Sequence, residues 1–107
     1  MSLLTTFAIV VIVNSMKAEL IYRERRVLAE GRLLEQVVWK LPQPVPPCTH
    51  AYKYRLVYVV DGVRVVGYDN ERGKGDHIHI GIRQYPYRFE NAGKLLDDFF
   101  ANRSEVE

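Results

Sequence analysis

The chain has a single cysteine, Cys48, so it can form no internal disulfide and no cysteine-based zinc knuckle. A fold that does without cross-links fits a reducing compartment, and a cytoplasmic location is expected. Long apolar runs are also scarce. Leu3 to Val13 is mostly apolar, but it is too short to cross a bilayer and has no flanking charge. With no basic segment ahead of it, it makes a poor secretory signal, and no membrane association is expected. Charge of one sign is lacking too: 15 basic and 13 acidic residues leave a formal charge of +2. That balance does not by itself argue for nucleic acid. Two catalytic signatures are absent. Gly73-Lys74-Gly75 lacks the upstream glycine spacing of a phosphate loop and the hydroxyl residue after its lysine, and no nucleophile elbow is present. Cys48 could meet His50, but nothing in the spacing marks a catalytic thiol.

What is present reads as one small domain. A length of 107 residues, 48% apolar and 26% charged, is enough for one modest core. Residues 1–15 are read as an N-terminal extension ahead of Met16-Lys17, which looks like a natural start. Its β-branched, uncharged stretch Phe7 to Val13 suits a strand that pairs, between protomers if exposed, so a homodimer is expected. Residues 16–107 form the domain itself.

Within it the pattern is a meander of strands closed by one helix. Lys17 to Leu28 alternates loosely, and Ala29-Glu30-Gly31 is a plausible turn. Leu33, Val37, Trp39 and Leu41 share a face interrupted by Glu35, which marks Trp39 as a core candidate. Pro42-Gln-Pro-Val-Pro-Pro47 is stiff and short of donors, a rigid connection between strands. Ala51 to Val60 is the clearest strand, with Tyr52, Tyr54, Leu56, Tyr58 and Val60 on one face. Asp61-Gly62 is a type I′ hairpin turn into Val63 to Tyr68. His77 to Ile82 reads as another strand, with its isoleucines on one side. The period then changes: Ala92, Leu95, Leu96, Phe99 and Phe100 fall on one helical face. The fold class is α+β, an antiparallel meander sheet with one C-terminal helix packed on it. Tyr85 to Phe89 would seal that helix against the sheet.

Reactive side chains concentrate in Tyr68 to His79. On a strand, His77 and His79 project from one face about 7 Å apart. Asp76 at the strand entrance would orient one imidazole. Gly73 and Gly75 supply positive φ angles, and Arg72 and Lys74 supply charge for a phosphate. Tyr54, Arg55, Asp69 and Asn70 would line the same pocket. Tyr85 could stack on a base, and Arg88 could reach the loop. The set has what metal-independent acid–base attack on RNA needs: one imidazole takes a proton, a second group gives one, and cations stabilise the transition state. A solvated, Gly-rich hairpin tip with no chemistry is the bland reading of the same run. No cofactor is expected. The competing chemical reading is a divalent ion on His77, His79 and Asp69 or Asp76, with His50 as a remote third nitrogen.

Several strings together are more specific than any one of them. Lys17-Ala-Glu-Leu20, Val38-Trp-Lys-Leu-Pro42, His50-x-Tyr-Lys-Tyr-Arg55, the run from Gly67 to His79, and Pro86-Tyr-Arg-Phe89 resemble the TumE family of small prokaryotic toxins. The resemblance runs from about Met16 to Phe100, and the stretch before Met16 departs from it. It implies a cytoplasmic growth inhibitor paired with a DNA-binding antitoxin, and it does not choose a reaction. Two alternatives to an RNA-cleaving toxin stay open at this point. One is a non-catalytic module that binds protein or nucleic acid, and the other is a metal-dependent hydrolase.

Overall fold

The structure is a computed structural model that describes residues 17–71 and 73–106. The pairing strand expected before Met16, and Arg72, lie outside the described residues. Six strands, β1 (Glu19–Val27), β2 (Arg32–Lys40), β3 (Tyr52–Val60), β4 (Val63–Glu71), β5 (Gly75–Ile80) and β6 (Arg83–Pro86), are followed by helix α1 (Ala92–Glu105). All six form one antiparallel sheet in the order β1-β2-β3-β4-β5-β6, so each strand pairs with its neighbour in sequence.

The turns show why the chain reverses where it does. Asp61 and Gly62 both have positive φ, 51° and 80°, the pattern of a type I′ turn whose twist matches the flanking strands. Glu30 and Gly31, at 61° and 73°, repeat that pattern between β1 and β2. Gly73 and Gly75 carry the positive φ angles expected of the loop between β4 and β5. The proline run docks on that loop: the Gly73 N–H donates to the Pro46 carbonyl at 3.3 Å, and a Cβ on Gly75 would sit 3.3 Å from the Pro47 ring.

Alternation decides which residues meet the helix. Leu34 and Val38 of β2, Tyr54, Leu56 and Tyr58 of β3, and Val66 and Tyr68 of β4 form one buried cluster with Leu95 and Phe99 of α1. Asn91 caps the helix by accepting from the Lys94 N–H at 2.8 Å. Tyr68 hydroxyl donates to the Asp98 carbonyl at 3.3 Å and to the Asn102 side chain, and Tyr87 hydroxyl donates to the Asp98 carboxylate at 2.7 Å. Of the stretch Tyr85 to Phe89 expected to seal the helix, Tyr87 bonds to it and Phe89 packs against the core cluster, while Tyr85 is exposed.

Three expectations need correction. Trp39 is half-buried and alternates away from Val38, so it faces away from the helix rather than into this cluster. Strand β5 stops at Ile80, because Gly81, at φ 60°, turns the chain and leaves Ile82 fully exposed. Arg83 to Pro86 then returns as the edge strand β6, too short and too close to a proline to show alternation. Phe100, placed on the helix's buried face, is more than half exposed.

Candidate functional site

Two polar clusters grow from β5, one on each face of the sheet. Residues 76 and 77 are consecutive in a strand, so their side chains leave on opposite sides.

On the helix side, Asp76 sits at the centre of a satisfied network. Its carboxylate lies 2.8 and 3.0 Å from His50 Nε2, and Tyr54 hydroxyl donates to it at 2.5 Å. Cys48 Sγ lies 3.5 Å away. His50 Nδ1 accepts from the Tyr52 N–H at 3.1 Å, so Nε2 must carry the proton that Asp76 receives. Both imidazole nitrogens are thus engaged, and the ring stacks on Phe89 with centroids 3.9 Å apart. Asn70 joins the same support: its side chain accepts from the Tyr54 N–H at 3.0 Å and donates to the Tyr52 carbonyl at 2.7 Å. Burial, then the nearby Asp76 charge, pushes the Cys48 thiol up, so it keeps its proton. Burial and the bond to Asp76 likewise push the Tyr54 hydroxyl well up. This network holds structure together and leaves no free base.

The opposite face is different. There the register runs Val37, Arg55, Asp69, His77 in one row, and Glu35, Val57, Gly67, His79 in the next. His77 Nε2 lies 3.1 Å from Asp69 Oδ1, and His79 Nε2 lies 3.9 Å from the same oxygen. The two rings meet edge to face with centroids 5.1 Å apart. His77 is 5% exposed, while the Asp69 and His79 side chains keep 18% and 17%. Burial, followed by the charge of Arg64, holds His79 below the ordinary imidazole range, so its lone pair is free at neutral pH. Glu35 ties the rows to β1: it lies 3.2 Å from Arg25 and 3.8 Å from Arg55.

Arg64 reaches this face through an irregularity. Strict alternation from Val66 would send it toward the helix. The register shift between Tyr58 and Val59 pairs Arg64 with Val59 and reverses its direction. Gly67 then makes room: a Cβ there would meet Arg64 Cδ at 2.9 Å. Sequence reasoning missed both residues. The lone glycine inside β4 was the available signal, since such a position marks a close approach or a bulge.

The expected site residues therefore divide. Asp69, His77, His79 and Arg55 share one face. Asp76 does not orient either of these imidazoles, because alternation commits it to His50 on the other side, along with Tyr54 and Asn70. His50 is for the same reason no third nitrogen for His77 and His79. Tyr85 pairs with Ile78, not with a histidine, and so lies on the helix-facing parity. Lys74 is at the loop tip, 3.3 Å from Glu71, and Arg88 is exposed beyond β6.

Among the described residues, no helix is long and apolar enough to cross a membrane. A family model described as Toxin TumE matches residues 10–107, nearly the whole chain and part of the stretch before Met16. No curated protein and no solved structure matches.

Proposed function

The chain belongs to the TumE family, which makes it the toxin of a toxin–antitoxin system with an antitoxin as its partner, and from that premise we propose that it cleaves RNA on the sheet face carrying Asp69, His77 and His79. The observation that supports this reading is the convergence of two imidazoles on one carboxylate, with Arg64 and Arg55 on the same face. In this scheme His79 takes the proton of a ribose 2′-hydroxyl as that oxygen attacks phosphorus. The bond to the 5′-oxygen breaks, His77 gives that oxygen a proton, and a cyclic phosphate and a free 5′-hydroxyl result. Asp69 holds the resulting imidazole charges in register, and the guanidinium of Arg64 stabilises charge on the phosphorane-like transition state.

The test is incubation of pure protein with total RNA, with and without a chelator, beside His77→Ala and His79→Ala. Cleavage should survive chelation and fall by about 10²-fold or more in each variant. Loss on chelation would transfer the reaction to a metal-dependent hydrolase. The burial of His77 favours a second reading, a non-catalytic face that recognises protein or nucleic acid. Growth arrest that persists in both alanine variants would decide for it.

The same reading places the toxin in the cytoplasm as a homodimer, with a DNA-binding antitoxin. Co-purification with the neighbouring gene product, followed by light scattering with and without it, checks both assemblies.

A further inference from the structure

We propose that Asp69, His77 and His79 together bind one divalent first-row transition ion, with Zn2+ as its natural probe. The inference shares its residues with the cleavage reading above but does not depend on RNA being the substrate.

Three observations carry it. First, Asp69 Oδ1 is fully buried and has no hydrogen-bond partner among the described residues, although two imidazole nitrogens sit 3.1 and 3.9 Å away. A buried carboxylate oxygen left this way destabilises the fold unless a cation or proton answers it. One proton on His77 would answer only one of the two imidazole contacts. Second, one donor atom from each of the three residues lies within 4.8 Å of the others. Three donors about 2.0–2.2 Å from one ion stand roughly 3.4 Å apart in a tetrahedron, so little movement closes the set. Third, the ligands project from two hydrogen-bonded strands, with Asp69 opposite His77 and Gly67 opposite His79, so the backbone fixes their spacing.

The other cluster of similar composition is a built-in contrast. Cys48, His50 and Asp76 also come within 4.8 Å of one another. Yet both His50 nitrogens are spent, and Asp76 already accepts from His50 and Tyr54. An ion there would have to break bonds that the fold has made, and an ion at Asp69 would not. Two imidazoles and one carboxylate select zinc-like ions over Mg2+ or Ca2+, which prefer all-oxygen sets. A tetrahedral ion would keep one position for water or a phosphate oxygen. It would also occupy the lone pair that His79 needs for the metal-free reaction. Zinc is therefore an inhibitor of that route.

The experiment is titration of chelator-stripped, full-length protein with Zn2+ by calorimetry, with Co2+ visible absorption as a second readout. One ion per chain should bind in the wild type. Binding should weaken at least tenfold in Asp69→Asn, an isosteric change, and in His79→Gln, with circular dichroism confirming that both are folded. Cys48→Ser should bind as the wild type does, and Mg2+ should give no heat. No Zn2+ binding, or binding that ignores Asp69→Asn, or binding lost in Cys48→Ser, overturns the proposal. These outcomes are read without RNA. Cleavage unaffected by chelation with no Zn2+ bound would leave the ribonuclease reading standing alone, and Zn2+ bound by a protein that never cleaves RNA would leave only the metal site.

Discussion

At Gly67 a hydrogen atom stands where any other residue would place carbon, and Arg64 lies across the gap. Gly67→Ala forces Arg64 aside without disturbing backbone, because the atoms in the way belong to a flexible side chain. The expected outcome is RNA cleavage reduced by about ten- to a hundredfold, the worth of one charge-assisted contact, with a thermal melt close to wild type. Parallel rate and melting measurements check both halves. Tyr54→Phe should do the reverse. It strips one donor from the buried Asp76 carboxylate and costs about 1–3 kcal/mol in urea denaturation, while His77 and His79 are untouched. This contrast also shows what sequence could disclose. A period of two puts His77 and His79 together, and it did so correctly. The same rule, applied one residue earlier, forbids Asp76 from joining them. Adjacency in sequence suggested a partnership that a strand does not permit. Asp69, named as a lining residue and as one of two candidate carboxylate ligands, holds the central place because β4 lies beside β5. Arg64 was hidden by a bulge whose one local sign is the glycine at position 67.

At the level of elements, turn chemistry was the most readable feature. Asp-Gly at 61–62 specifies the β3–β4 hairpin by backbone sterics alone, and the structure has both residues at positive φ. Gly62→Ala would meet no atom within 4 Å, so its whole effect is backbone strain, about 1 kcal/mol in chemical denaturation. Removing the helix cap with Asn91→Ala should cost about as much, roughly 1 kcal/mol, since the Lys94 N–H loses its acceptor. The element that went unread was β6. Its four residues include a proline and follow a turn at Gly81, so they carry too little alternation to register as a strand. Edge strands tolerate proline because one row of their backbone groups needs no partner.

At the scale of the molecule, among the described residues, helix α1 lies on one side of the six-stranded sheet and packs on β3 and β4 near its middle. Leu95 and Phe99 are its buried anchors, so Leu95→Ala should cost about 2–5 kcal/mol and lower the melting temperature sharply. Strand β1 contrasts with this centre, being exposed along nearly its whole length and pairing with β2 in the meander. Its amides should therefore exchange with solvent sooner than those of β3, which hydrogen–deuterium exchange will show. The two faces of β5 answer to different demands, since His77 and His79 look one way while Asp76 and Ile78 look the other. A saturation library across this strand, scored for both growth arrest and cellular protein level, should therefore yield interleaved stripes. Substitutions at 77 and 79 silence toxicity in an abundant protein. Those at 76 and 78 deplete the protein itself.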